Sequence, residues 1–184
     1  MSINEGKTIS EALFQDRHLF LHGDINGDMA SAIIAGLLAL SNDDKPISLH
    51  IFSGGGEIYS GLAIIDAIRS IKAPVYTYAM GLCASMAAII FVSGDKRFIG
   101  ANSRFMIHQP LGGASGKLSD MQTTIDEALK LKEIIVEILS AKSELSKEEI
   151  SNMIEKDKFL SAKECLKIGF CDEILKDKNQ IKRI

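Results

Sequence analysis

The chain has 184 residues, of which 46% are hydrophobic and 24% charged, and its net charge at pH 7 is −3. This length is enough for a sizeable core, and we predict one domain over residues 1–184. The negative net charge argues against a nucleic-acid-binding surface. The N-terminal residues contain no apolar run with a basic flank, so we expect no secretory signal. The three cysteines lack metal-ligand spacing and fit reduced thiols, so we expect a cytoplasmic protein.

Strand-like and helix-like segments alternate along the chain. In chain order, apolar periodicity predicts strands at 18–22, 47–52, 74–78, 97–99 and 104–107, and between them helices at 28–40, 59–72 and 85–92. Helices at 120–141, 146–154 and from residue 161 follow, the last two after capping boxes. Gly23 is expected to end the first strand and Gly169 the last helix. The alternation predicts an α/β fold with mostly parallel strand pairing.

The two ends and two internal segments limit what else the chain can contain. Residues 1–10 are polar and expected to be loosely ordered, and the basic residues 176–184 to form a solvated tail. The apolar stretch 73–92 is broken by proline and glycine, so it predicts a strand and a buried helix rather than a membrane span. Residues 24–28 begin like a calcium loop, but Met29 occupies its glycine position, so we expect a helix N-cap and no metal site.

Two stretches carry residue types suited to acyl chemistry. Ser85 lies among small residues in the sequence GLCASMAA, and His108 ends the strand-like run RFMIH. A serine hydroxyl is a poor nucleophile at neutral pH and needs a neighbouring base, so we predict that these two residues form a nucleophile–base pair. No G-x-S-x-G elbow surrounds Ser85, which disfavours the α/β-hydrolase fold.

A third stretch offers hydrogen-bond donors for a developing negative charge. Residues 53–57, SGGGE, connect a strand-like run to a helix-like run. Backbone N–H groups at such a helix start can bind an oxyanion, and glycine lets a peptide approach the backbone closely. The same glycines also fit a simple strand-to-helix turn, and the residues alone leave both interpretations open.

Together these stretches resemble the Clp protease proteolytic subunits, the ClpP family of serine peptidases. The resemblance covers residues 14–175 and is carried by SGGG at 53–56, YSGLAI at 59–64, ASM at 84–86, NSRFMIHQPLGG at 102–113 and DKFLSA at 157–162. It implies an α/β fold of the ClpP/crotonase type with a protruding strand–helix handle. It also implies a serine endopeptidase that hydrolyses peptides or unfolded proteins inside a ring-shaped oligomer.

The resemblance implies a role for each site residue. Ser85 would be the nucleophile, His108 the general base and Asp157 the residue that orients His108. The oxyanion-hole N–H groups would come from Gly56 and Met86. The implied substrate-contacting residues are Gly56, Glu57 and Ile58 on one side and Leu111, Gly112 and Gly113 on the other. No metal or bound cofactor is implied. From the residues alone, Asp157 lies on a loop and is equally explained as a solvated charge.

Assembly is also expected from the resemblance. The helix at 120–141 is apolar on two faces and therefore needs two neighbours. In the family, a handle at this place joins two stacked heptameric rings, which implies a tetradecamer. Glu155 and Lys156 match family positions where opposite rings form an ion pair, although arginine is common where Lys156 stands. Any ATP would be used by a Clp-type AAA+ ATPase partner.

Several residues depart from the family pattern. Ser48 and His50 stand where the family has aromatic residues of the ATPase-docking pocket, and the N-terminal segment is short. We therefore expect weak docking of an ATPase, or a mixed ring in which a second ClpP-type subunit supplies the docking face. Gly54 replaces a usual proline, and Leu82 and Cys83 replace glutamine and alanine. We expect Cys83 to be a small buried core residue.

Two alternatives from other functional classes remain open. A crotonase-type acyl-CoA enzyme shares the broad architecture and uses glycine-rich oxyanion holes without a Ser–His pair. A non-catalytic ring subunit would only scaffold an active paralogue, and the presence of Ser85, His108 and Asp157 argues against it.

Overall fold

A computed structural model describes residues 7–176 of the chain. Its strands are β1 (His18–Ile25), β2 (Ile47–Gly56), β3 (Val75–Ala84), β4 (Lys96–Gly100), β5 (Arg104–Ile107), β6 (Lys158–Ser161) and β7 (Glu173–Leu175). Its helices are α1 (Ile9–Gln15), α2 (Gly27–Leu40), α3 (Ile58–Ser70), α4 (Met86–Val92), α5 (Leu118–Ala141), α6 (Lys147–Met153) and α7 (Ala162–Lys167). The expectations for residues 1–6 and 177–184 lie outside the described residues.

All seven of these strands belong to one sheet, and β3 ends directly before Ser85. The main path runs β1-β2-β3-β4-β7, while β5 pairs with β3 and β6 with β5. The first half of β3 pairs with β4 and its last residues with β5, and Gly81, with φ +69°, lies between the two halves. Among residues 7–176 the β5–β6 pair is antiparallel and the other five pairs are parallel. The predicted α/β fold with mostly parallel pairing is confirmed.

Helix α4 forms the centre of the core directly behind Ser85. All seven of its residues are buried, and it packs against β2, β3 and α3. A helix that is apolar on every side must be surrounded by protein, as the sequence predicted for residues 85–92. Because α4 is held on all sides, the turn that precedes it is held as well.

Several predicted boundaries were wrong. Strand β1 does not end at Gly23, because a register shift between His22 and Asp24 lets the pairing with β2 continue to Ile25. Strand β3 extends to Ala84 rather than residue 78. Residues 9 and 10 are not loosely ordered, since α1 begins at Ile9 behind a capping box formed by Thr8. Strands β6 and β7 were missed because each is only three or four residues long.

The helix caps and the helix of the handle follow the sequence more closely, whereas the strand implied for the handle is absent from residues 108–117. The capping boxes at Ser146 and Ser161 are both present, Asn26 caps α2, and Gly169 follows the C-cap of α7 with φ +82°. The helix of the expected handle is present as α5. The residues between β5 and α5, 108–117, form neither strand nor helix. None of the helices between residues 7 and 176 is both long and apolar enough to cross a membrane.

Candidate active site

Ser85 lies on a sharp turn between β3 and α4. Its backbone has φ 55° and ψ −128°, a left-handed conformation that residues other than glycine rarely adopt. The turn is held by α4 on one side and by a 2.8 Å hydrogen bond from the Ser85 N–H to the Met106 carbonyl on the other. Strain of this kind persists only where the surroundings enforce it, and it often marks a functional residue. The sharp turn between a strand and a helix, which the G-x-S-x-G sequence forms in α/β-hydrolases, is therefore present here without that sequence.

The side chains of Ser85, His108 and Asp157 lie in series, with a hydrogen bond between the first two and a close contact between the last two. Ser85 Oγ lies 2.7 Å from His108 Nε2, and His108 Nδ1 lies 3.2 Å from Asp157 Oδ1. The His108 side chain is 13% exposed, whereas that of Asp157 is 64% exposed. A proton on Nδ1 donated to the carboxylate leaves Nε2 free to accept the serine proton. The structure thus brings together the three residues that the sequence analysis placed in one site.

Asp157 reaches His108 because β5 and β6 are antiparallel neighbours. Ile107 pairs with Lys158, so the residue after β5 and the residue before β6 lie at the same end of the pair. The chain beyond His108 is also fixed, since the Gln109 N–H donates a 2.7 Å hydrogen bond to the Ile154 carbonyl. Sequence reasoning had no signal for this pairing, because β6 is four residues long and lies fifty residues beyond β5.

Two of the three consecutive glycines are required by close packing. A Cβ at Gly55, where φ is +106°, would lie 2.6 Å from Ser85 Cβ and 2.9 Å from the Ala84 carbonyl oxygen. A Cβ at Gly56, where φ is +153°, would lie 2.1 Å from the Ile25 carbonyl oxygen. At Gly54 nothing lies within 4 Å. The glycine segment at the end of β2, which we term the glycine turn, therefore packs directly against Ser85.

The Ser53 side chain holds this glycine turn in place. Its Oγ donates a 2.5 Å hydrogen bond to the Gly23 carbonyl and accepts one of 3.0 Å from the Gly55 N–H. The buried hydroxyl thereby connects β1 with the glycine turn at the end of β2. No sequence signal indicated this role, since a serine beside glycines is ordinary in any turn.

The catalytic cavity has a volume of about 280 Å³ and is lined by Ser85, His108, Gly56 and Met86. Met86 is the first residue of α4, where a backbone N–H has no carbonyl partner inside the helix. Of the expected substrate-contacting residues, Ile58 and Leu111 line this cavity, whereas Gly112 and Gly113 line an adjoining one. Glu57 lines neither; its carboxylate accepts a 2.8 Å hydrogen bond from the Ser60 hydroxyl at the start of α3.

Apart from Gln109 and Gly54, the rest of the cavity wall is apolar and was not predicted. It is formed by the side chains Ile89, Met106 and Ile135, together with Pro110. These residues resemble ordinary core positions in the sequence, so no local signal separates them. Among residues 7–176, no cluster of three or more histidine, cysteine or acidic side chains is suited to bind a metal ion.

Comparison with known proteins agrees with this geometry. The family model described as Clp protease matches residues 3–178. The ATP-dependent Clp protease proteolytic subunit of Ligilactobacillus salivarius (strain UCC118) is 41% identical over 178 residues, which cover 95% of this chain and 90% of that protein. The chain belongs to the Clp protease family. The resemblance first identified from the sequence segments is therefore confirmed over nearly the whole chain.

One departure of this chain from the Clp protease family lies two residues before Ser85. Cys83 is completely buried, and burial raises the pKa of its thiol well above the usual range. A neutral buried thiol is a weak nucleophile. Cys83 is therefore the small core residue that the sequence predicted and not a competitor of Ser85.

Another departure lies on one face of the sheet, where the side chains of four residues form what we term the outer aromatic row: Phe20, His50, Tyr78 and Phe98. The His50 ring stacks on Phe20 and on Tyr78, with centroids 4.9 Å apart in each case, and Tyr78 stacks on Phe98 at 4.8 Å. Burial, with His18 beside it, lowers the pKa of His50 to about 4, so its ring is neutral at pH 7. The imidazole thus continues a stacked aromatic row across β1 to β4, in which Phe20 is exposed and Tyr78 and Phe98 are buried.

Proposed function

We propose that this chain is a serine endopeptidase that hydrolyses peptides or unfolded proteins. The observation that carries the proposal is the series Ser85 Oγ, His108 Nε2 and Nδ1, and Asp157 Oδ1, with distances of 2.7 and 3.2 Å. Membership of the Clp protease family supports the same activity. The roles follow from the chemistry that this arrangement allows.

The reaction uses His108 first as a base and then as an acid. His108 Nε2 accepts the Ser85 proton while Oγ forms a bond to the substrate carbonyl carbon. Asp157 stabilises the resulting imidazolium, which then protonates the leaving amine as the peptide bond breaks. Water attacks the acyl-enzyme by the same route, releasing the second product and returning the proton to Ser85.

Backbone N–H groups of Gly56 and Met86 would hold the oxyanion formed in each step. Both residues line the catalytic cavity beside Ser85. Met86 supplies an N–H from the first turn of α4, and the helix dipole adds a favourable potential at that point. Because Gly55 fixes the turn against Ser85, these donors are held in place before the substrate arrives.

An extended peptide would bind between two backbone segments. Residues 56–58 lie on one side, and Leu111, Gly112 and Gly113 lie on the other, within the stretch 108–117 that forms no strand. Irregular backbone beside an open cavity can accept a peptide as an added strand. Glu57 and the two glycines thus contribute mainly backbone contacts to this binding.

We further propose that copies of this chain assemble into two stacked heptameric rings. Helix α5 supports this assembly, because it exposes large apolar side chains, with Leu118 at 85%, Leu129 at 55% and Ile125 at 47% exposure. Such exposure is typical of an interaction surface. The ring would work in the cytoplasm, either with a Clp-type AAA+ ATPase bound weakly at the outer aromatic row, or as a mixed ring in which a second ClpP-type subunit supplies the docking face.

The proposal is tested by labelling the purified chain with a fluorophosphonate and locating the adduct by mass spectrometry. We expect a single adduct on Ser85 that is absent from Ser85→Ala and unchanged in Ser31→Ala, which removes an exposed serine on α2. An unlabelled Ser85 in a folded oligomer would contradict the proposal and favour a scaffolding subunit. Labelling elsewhere, with acyl-CoA turnover, would favour a crotonase-type enzyme.

A further inference from the structure

A second cavity of about 590 Å³ adjoins the catalytic cavity. The two share Ile58, Pro110 and Leu111 in their walls, so they form one continuous trough leading away from Ser85. The floor of the second cavity is formed by α5, whose apolar side chains there include Ala128 and Leu131 and whose polar ones include Thr124 and Lys132. A peptide whose scissile bond lies at Ser85 would therefore place a neighbouring side chain over this floor.

The Tyr59 ring forms the open side of this second cavity. Tyr59 is the second residue of α3, its ring is 62% exposed, and its hydroxyl donates a 2.9 Å hydrogen bond to Glu127 Oε1 on α5. That hydrogen bond joins α3 to α5, and both residues line the second cavity. The Glu127 carboxylate raises the pKa of the Tyr59 phenol, so the hydroxyl remains a donor at neutral and moderately basic pH.

We propose that Tyr59, positioned by Glu127, is a specificity-determining residue of a second substrate subsite that prefers a large apolar side chain. The inference rests on the proposed peptidase function, because the occupant is identified by the continuity of the two cavities. The ring supplies an apolar face opposite α5, and the hydrogen bond fixes that face at low entropic cost. A glycine at the same substrate position has no side chain to contact this face of the ring.

The test measures peptide binding in the Ser85→Ala background, so that its outcome does not depend on catalysis. Fluorescent peptides that differ only in leucine or glycine, placed in turn at each residue near the scissile bond, are titrated by anisotropy. At one position we expect Tyr59→Ala to weaken binding of the leucine peptide about tenfold and to leave the glycine peptide unchanged. Equal weakening of both peptides, or no weakening of either, would overturn the proposal.

Three further single variants separate the positioning of the Tyr59 ring from its contact with the peptide. Tyr59→Phe and Glu127→Ala both remove the hydrogen bond, so we expect a smaller loss of leucine binding that does not add in the double variant. Glu127→Gln keeps an acceptor and should bind the leucine peptide normally. The oligomer mass of each variant is measured in parallel, because a change of mass without a change of peptide affinity would mean that a second copy of the chain covers this cavity. If Ser85 fails to label while the leucine preference persists, the peptidase function fails and the subsite stands.

Discussion

Replacing Gly55 by alanine would place a methyl group against the nucleophile. The new Cβ would lie 2.6 Å from Ser85 Cβ and 3.1 Å from the Met86 nitrogen, and φ at this position is +106°. The positive φ costs an L-residue about 1–2 kcal/mol and the overpacking about 1–3 kcal/mol, so the free energy of unfolding should fall by about 2–5 kcal/mol. Both contacts are with the turn that carries Ser85, so the added methyl group should displace Ser85. That displacement should lower the rate of peptide hydrolysis about a hundredfold.

The neighbouring residue provides a matched control. Alanine at Gly54 meets nothing within 4 Å, so Gly54→Ala should change the free energy of unfolding by less than about 0.5 kcal/mol and retain activity. Both variants are compared by chemical denaturation and by the rate of fluorophosphonate labelling at Ser85. If Gly55→Ala matched the parent chain in both assays, or if Gly54→Ala were equally impaired, the packing of the glycine turn against Ser85 would be refuted.

Two further predictions concern assembly and pH. Lys156 is exposed and stands where the family forms an ion pair between rings, so Lys156→Ala should shift sedimentation towards single rings, most clearly as salt rises, with peptidase activity falling in parallel. An unchanged double ring would show that the charge contributes little. The pKa of His50 is lowered on folding to about 4, so the unfolded chain binds more protons between pH 6.5 and 4, and stability should fall as the pH drops through that window. Thermal denaturation of His50→Phe should show a weaker fall, and an identical pH profile would contradict this assignment.

The sequence predicted those parts of the site that are carried by local patterns. The continuous apolar run of α4 indicated a buried helix, and the residue types around Ser85 and His108 suggested acyl chemistry. Asp157 could not be assigned from the residues alone, because its position depends on the pairing of β5 with β6, two short strands far apart in the chain. The contact of Gly55 with Ser85 likewise joins separate elements.

Other features could not be read because their sequence signal is common to many structures. The apolar cavity wall consists of residues that any core would contain, such as Ile89 and Ile135. The Tyr59–Glu127 hydrogen bond joins two residues that lie 68 positions apart on α3 and α5, and no local sequence pattern links them. His50 was interpreted as the loss of an aromatic residue, yet its neutral ring occupies a place in the stacked row.

Hydrolysis of a fluorogenic peptide by Ser85→Ala, by His108→Ala and by the double variant tests the catalytic assignment most directly. Because the two residues act as one unit, each single variant should lose at least about a thousandfold in turnover, and the double variant should lose no more than either single one. The assay is made on oligomers of unchanged mass, with Ser31→Ala as the control that keeps full activity. Near-normal turnover by purified Ser85→Ala would contradict the assignment of Ser85 as the nucleophile.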